Sequence, residues 1–203
     1  MSNLKNLLNQ NAKWAYKLNR QSPKLFTDLA KGQSPHTLWL GCSDSRVPPE
    51  QLTDSNLGSI FTHRNIANVV GNQDISFLSV LEYAVVHLKV KQIIVCGHYQ
   101  CGGIKAALDK QHSGLIDNWL FTVKSTLKNH SKELNVISGQ NKRFNRAVEL
   151  HTLAQLENLA RTTIVQTAWV RKQELELHAC VFDIASGRLK YLDKSYQSNE
   201  DLD

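Results

Sequence analysis

The chain has 203 residues, 41% of them hydrophobic, and carries 24 Lys and Arg against 18 Asp and Glu, a formal charge of +6. It is long enough to bury a full core; its apolar runs fall short of the roughly 20 residues of a membrane span, and its first residues, "MSNLKNLLNQNAKWAY", are too polar and interrupted for a secretory leader. The positive charge is scattered, and its densest stretch, Lys124 to Arg146, has six basic residues and one Glu but no nucleic-acid motif and no regularly interleaved aromatics, which predicts solvated helix faces and no nucleic-acid partner.

In chain order, Leu4, Leu7, Leu8, Ala15 and Leu18 come first, on one helical stripe with Trp14 beside it, and Pro23 lies past its end. An amphipathic helix ahead of any strand must cover that stripe with the chain's own core or with a second subunit. The blocks "HTLWLGCSDS" and "KQIIVCGHYQCGG" then each run from a short apolar strand into a polar, glycine-bearing turn. Between them, "GSIFTHRNIANVV" predicts another strand and turn, and "DISFLSVLEYAVVHLKV" a helix capped by Asp74 with Ile75, Leu78, Leu81 and Val85 on one face. Helical patterns follow at about 103 to 110, 115 to 130 and 142 to 160. The chain closes with a hairpin, "ELELHACVFDI", "ASG", "RLKYL", and the acidic tail "NEDLD" reads as solvated. The expected fold is a single α/β domain over 1–203: a mainly parallel central sheet with an antiparallel edge strand, flanking helices and an N-terminal helical arm. Residues 1–32 form the arm, 33–192 the core and 193–203 the tail.

Four cysteines spread over this length predict reduced thiols and a cytoplasmic location, a reading compatible with an organellar transit peptide removed before this numbering begins. Cys96 and Cys180 sit inside apolar, strand-like runs and read as small buried hydrophobes. The chemistry lies in the two polar blocks. Ligands of open α/β sheets collect beyond the carboxyl ends of the strands, where both blocks fall. They supply Cys42, Asp44, His98 and Cys101, a set of sulfur, nitrogen and oxygen donors suited to tetrahedral zinc. Residues 42 and 44 point the same way in extended backbone, and a turn entering a helix brings 98 and 101 together with the helix dipole aimed at them.

A closed structural zinc knot would take Cys and His alone. Here the fourth place falls to a carboxylate with Arg46 two residues away, so Asp44 can leave the metal for the guanidinium and admit water. Other site classes fit less well. No C-x-x-C supports a thioredoxin-like reading, no G-K-[ST] a phosphate loop, and a Cys42–His98 hydrolase would leave Cys101 and the Asp44/Arg46 dyad without roles.

Taken together and in this order, "GCSDSRVPPE", "HRNIANVV", "LEYAVVHLKV" and "CGHYQCGGIKAAL" resemble the β-class carbonic anhydrases, over about residues 12 to 192. The resemblance implies reversible hydration of CO2 to bicarbonate and a proton by zinc-bound hydroxide. One Zn2+ per chain would be held by Cys42, His98 and Cys101, with Asp44 and Arg46 as gating dyad and Asp44 as a fourth ligand in the closed form only. It further implies substrate contacts from Gln33 and the backbone N–H of Gly102, and apolar walls from Phe61, Ile66 and Tyr83. Partners would be CO2/bicarbonate and a second copy of the chain, as a homodimer or a dimer-of-dimers tetramer with the N-terminal helix wrapped over its neighbour. Some members of the family bind bicarbonate at a second site through a tryptophan, an arginine and a tyrosine. Trp39 and Arg64 match the first two, but the third position carries Phe182, which predicts weak or absent bicarbonate inhibition. Competition between Asp44 and water for zinc predicts activity that rises with pH. None of the remaining histidines (His36, His63, His87, His112, His130, His151 and His178) is marked as a proton shuttle, so buffer or a water relay is expected to carry the proton out. Two alternatives share the fold: a zinc hydrolase acting on CS2 or COS, and a non-catalytic bicarbonate-binding protein.

Overall fold

A strand covered on both faces needs apolar residues at every position rather than at every second one, and β1 (Thr37–Cys42, TLWLGC) is buried along its whole length. β2 (Ile60–Asn65) and β3 (Gln92–His98) flank it, both parallel, with Gly41 opposite Arg64 on one side and Cys96 on the other. β4 (Glu176–Asp183) continues the parallel pairing against β3, and β5 (Arg188–Tyr196) returns antiparallel, giving the order β2-β1-β3-β4-β5. Asp183 builds the hairpin turn by accepting from the N–H of Ala185 and the hydroxyl of Ser186, and Gly187 takes the left-handed conformation that the reversal requires. The expected sheet, including its antiparallel edge, is the observed one.

The structure is a computed structural model that describes residues 3–109 and 114–202. It falls into two compact units, Met1–Ser34 and Pro35–Asp203. In the first, α1 (Asn3–Gln21) meets α2 (Leu25–Leu29) through Trp14 and Phe26, whose rings lie edge to face at 5.8 Å. Leu4, Leu7 and Leu8 of the predicted stripe are 65%, 56% and 61% exposed, while Ala15 and Leu18 are half-buried.

In the second unit the helices are α3 (Pro49–Leu52), α4 (Ile75–Glu82), α5 (Gly102–Leu108), α6 (Ile116–Trp119), α7 (Phe121–Asn129), α8 (Ser131–Val136), α9 (Gln140–Ala160) and α10 (Thr163–Val170). They help form two apolar clusters. One gathers Leu38, Leu40, Ile93 and Val95 of the sheet with Phe77, Leu81, Val165 and the second half of α9. The other gathers Trp39, Cys42, Cys96 and Cys101 with Ile104, Val123, Leu134 and the first half of α9. α9 therefore belongs to both. Cys96 is buried and Cys180 half-buried, facing one another in register on β3 and β4, as expected of small hydrophobes.

Five local expectations need correction. Asp74 caps α4 by accepting from the N–H groups of Ser76 and Phe77, but Ile75, in the first turn, is 77% exposed and does not share the buried face of Leu81. That helix also ends at Glu82 and passes into a wider turn at Tyr83–His87. The single helix expected over 115 to 130 is two, broken at Leu120, which leaves helical geometry (ψ 1°) so that its fully buried side chain can enter the core. The acidic tail is docked: Asp201 accepts from the N–H groups of Gln197 and Ser198, and Leu202 packs on the first cluster. β5 runs to Tyr196, through the expected tail boundary at 193. Lys110, at the end of the helix expected over 103 to 110, and His112 lie outside the described residues.

Candidate metal centre

β1 ends on Cys42 and β3 on His98, in neighbouring parallel strands, so the sheet delivers both side chains to one edge. Cys101 follows as the residue preceding α5, and Gln100 makes the reversal possible by adopting φ +60°. The two sulfurs stand 4.0 Å apart, and Sγ of Cys42, the His98 ring nitrogen and Sγ of Cys101 all lie within 4.8 Å of one another. All three residues are buried.

Hydrogen bonding sets the state of each donor. His98 Nδ1–H donates to the Tyr99 carbonyl at 2.9 Å, because a carbonyl only accepts, and this leaves a lone pair on Nε2. That Nε2 is buried with no hydrogen-bond partner, an arrangement costing about 1–3 kcal/mol unless an electrophile takes the lone pair. The Cys101 thiol donates to Cys42 Sγ, which holds Cys42 well below the usual thiol range and for the same reason pushes Cys101 up. The backbone N–H groups of Asp44 and Ala67 support negative charge on Cys42, and those of Gly103 and Ile104 support it on Cys101. Two thiolate-forming sulfurs and one neutral imidazole, inside a buried triangle of this size, fit a zinc ion.

Asp44 stands beside this triangle, its Oδ2 3.8 Å from His98 Nε2. Arg46 holds it in a fork, Nε to Oδ1 at 2.9 Å and Nη2 to Oδ2 at 2.7 Å, and the Arg46 backbone N–H adds a third bond to Oδ1 at 2.9 Å. The Arg46 guanidinium keeps the Asp44 carboxyl far below the ordinary carboxylate range, ionised at any working pH. Arg46 also donates from Nη2 to the Gln100 carbonyl at 3.3 Å, tying the loop after β1 to the loop after β3.

Arg64 fills the role of a loop clamp. Its Nε donates to the Cys42 carbonyl at 2.7 Å and its Nη2 to the Asp44 carbonyl. Trp39 is buried in β1, and Phe182, buried in β4 opposite His98, accepts the Tyr99 N–H on its carbonyl. Phe61 and Tyr83 meet as a ring pair at 5.7 Å, and Phe61 packs on the first apolar cluster, whereas Cys42 and Cys101 belong to the second. Ile66 is 40% exposed, and its carbonyl accepts from Trp119 Nε1. Gly102 opens α5 with open space where a Cβ would stand. Gln33 is exposed in the first unit.

Sequence reasoning missed the support behind the ligands. Tyr99, whose carbonyl orients His98, is anchored by its hydroxyl to Glu149 at 2.7 Å, and Glu149 also accepts from Lys190 and Arg146. Ala67 holds φ +63°, and its carbonyl accepts from His151 Nε2–H at 2.8 Å. The visible signal was a Glu and a His inside the apolar run "AVELHTLAQL", where neither is expected without a partner.

His151 carries a prediction. Burial pushes its pKa down from 6.5 to about 4, so the folded protein refuses a proton that the unfolded chain accepts below pH 6.5. Stability is therefore full above that value and falls as pH drops toward 4. The loss assigned to this ring is about 2 kcal/mol between about pH 7.5 and about pH 5. Urea unfolding of His151→Gln and the parent at both pH values checks it, since contributions shared by the two proteins cancel; an equal acid loss in both would refute it.

Comparison with known proteins agrees with this geometry. The carbonic anhydrase family model matches residues 37–189. A carbonic anhydrase of Emericella nidulans is 42% identical over 186 residues, 92% of this chain and 82% of the relative. Among solved structures, a tetrameric β-carbonic anhydrase of Sordaria macrospora superposes with a TM-score of 0.91 at 40% identity, covering 95% of this chain and 98% of that one. The Coccomyxa β-carbonic anhydrase in complex with acetazolamide gives 0.95 at 37% identity, over 99% and 91%. A carbon disulfide hydrolase, 16% identical with a TM-score of 0.51 over 90% of this chain and 92% of that one, shares the fold alone. A match over three-quarters of the chain, from the first sheet strand into the last and including Cys42, His98 and Cys101, places this protein in the β-class carbonic anhydrases, which are zinc enzymes.

Proposed function

We propose that this enzyme hydrates CO2 reversibly to bicarbonate and a proton, and that Asp44, restrained by Arg46, both aims the attacking water and controls access to the metal. The observation carrying this reading is the Asp44–Arg46 fork standing 3.8 Å from an unpartnered, buried His98 Nε2. Cys42, His98 and Cys101 would hold one zinc ion, whose chemistry is to lower the pKa of water from about 16 to near 7. Asp44 does the orienting. Its Oδ1 is occupied by two Arg46 donors and its Oδ2 by one, so a lone pair of Oδ2 remains open. A water beside it donates a hydrogen there and turns an oxygen lone pair toward the incoming carbon. Because Arg46 keeps Asp44 ionised, the carboxylate can only accept, which fixes that orientation. One C–O bond forms, bicarbonate leaves, and the proton passes to water or buffer. Released from Arg46, the same carboxylate would reach the fourth ligand place and shut the site.

Stopped-flow CO2 hydration by zinc-analysed protein, run beside CS2 and COS hydrolysis, tests the reading. Zinc-dependent CO2 hydration far above turnover of either analogue is expected. One zinc per chain with analogue turnover and no CO2 hydration would overturn it. The exposed Leu4, Leu7 and Leu8 of α1 and the tetrameric Sordaria relatives support assembly as a homodimer or a dimer of dimers, which sedimentation equilibrium checks.

A further inference from the structure

Arg46 has a second surface that the reaction leaves unused. Besides binding Asp44 it lines a cavity of about 600 Å3, a volume within the range of small-molecule sites. The wall is positive: Arg46, Lys105 and Arg143 against a single acid, Asp109. Lys105 makes no ion pair among the described residues, and Arg143 donates to a neutral oxygen, that of Asn135. Arg46 uses Nε and Nη2 for Asp44 and the Gln100 carbonyl, and its Nη1 edge has no hydrogen-bond partner among the described residues. The first turn of the 21-residue α9 also faces the cavity through Gln140. Its N-cap is Gly139, which has no side chain to satisfy the free N–H groups there. Phe144 adds an apolar wall.

We propose that this cavity binds a phosphate group. Asp44 already balances Arg46, so Lys105 and Arg143 against Asp109 leave a surplus of one positive charge beside the first turn of α9, and the Arg143 guanidinium, the Lys105 ammonium and the Nη1 edge of Arg46 are donors suited to phosphate oxygens. The cavity has room beyond the phosphate, so the group arrives either as inorganic phosphate or on a small organic monophosphate whose remainder lies against Phe144. The site shares with the metal centre the Nη1 edge of Arg46 and Gln100, the residue before Cys101, and is otherwise built from different residues. It does not rest on the reaction assigned to the metal centre.

The test is calorimetric titration of the zinc-loaded protein at constant ionic strength with inorganic phosphate, with adenosine monophosphate and with acetate. Each is run with and without saturating acetazolamide, a zinc-seeking sulfonamide found in complex with the Coccomyxa relative. The two phosphates are expected to bind with the sulfonamide present, and acetate far more weakly. Lys105→Ala and Arg143→Ala, both exposed side chains remote from the reacting atoms, should each weaken binding about tenfold with unchanged thermal unfolding. Tighter binding of the nucleotide, reduced in Phe144→Ala, would assign the cavity to organic phosphates, and equal binding of both to the free ion. Absence of phosphate binding, its displacement by acetazolamide, or affinities unchanged in both charge variants would overturn the proposal.

Discussion

Cys42→Ser is expected to leave the fold standing and remove the enzyme, with zinc content near zero and CO2 hydration reduced by at least about 10³-fold. The replacement is nearly isosteric at a position 6% exposed, so packing changes little. The chemistry changes completely. Cys42 becomes a thiolate because the Cys101 thiol and the N–H groups of Asp44 and Ala67 stabilise its charge. A serine hydroxyl in the same place stays protonated and neutral, so it offers zinc a poor ligand. His98 and Cys101 alone then make an incomplete set, and His98 Nε2 stays buried without a partner. Metal analysis and stopped-flow hydration on the same sample decide the matter, and a variant holding a full complement of zinc and hydrating CO2 at the parental rate would remove Cys42 from the ligand set.

Asp44→Asn separates the metal from the chemistry. The amide oxygen can still accept from Arg46, but the amide nitrogen meets a donor at Nη2 where Oδ2 accepted at 2.7 Å. The fork opens, and the residue no longer presents a charged acceptor to water. Zinc content should remain at one per chain, because Asp44 does not bind the metal while Arg46 holds it, and kcat/KM should fall by about 10²-fold or more. Stability should move by about 1 kcal/mol or less, since the pair is largely solvent-facing on the Arg46 side, at 46% side-chain exposure. A hydration rate within about threefold of the parent would show that the carboxylate neither aims the water nor governs its entry.

The candidate ligands were legible because strand ends in a parallel sheet converge and because Cys, His and Cys at those ends have few other uses together. Cys42, His98 and Cys101 met as the sequence analysis required, and Asp44 was already paired with the Arg46 two residues on. What could not be read were arrangements fixed only by tertiary packing. Nothing local marks Leu120 as a break, since it is neither Gly nor Pro and lies within an apolar run; the core takes its side chain and the helix yields. α8 and α10, six and eight residues long, are too short for periodicity to identify. Arg64 matches a bicarbonate-site arginine in the sequence, but nothing local shows that its guanidinium also bonds two carbonyls of the loop after β1. The Tyr99–Glu149 anchor joins residues 50 positions apart, a distance at which sequence spacing carries no geometric information.

Because α9 contributes Val148 and Leu150 to one apolar cluster and Leu156 and Leu159 to the other, the two clusters cannot melt separately without breaking a continuous helix. The Pro35–Asp203 unit should therefore unfold as one cooperative block. Zinc, bound beside the cluster that holds Cys42 and Cys101, then raises the melting temperature of the other cluster as much as that of its own, and calorimetry of the holoprotein should record their loss as a single peak.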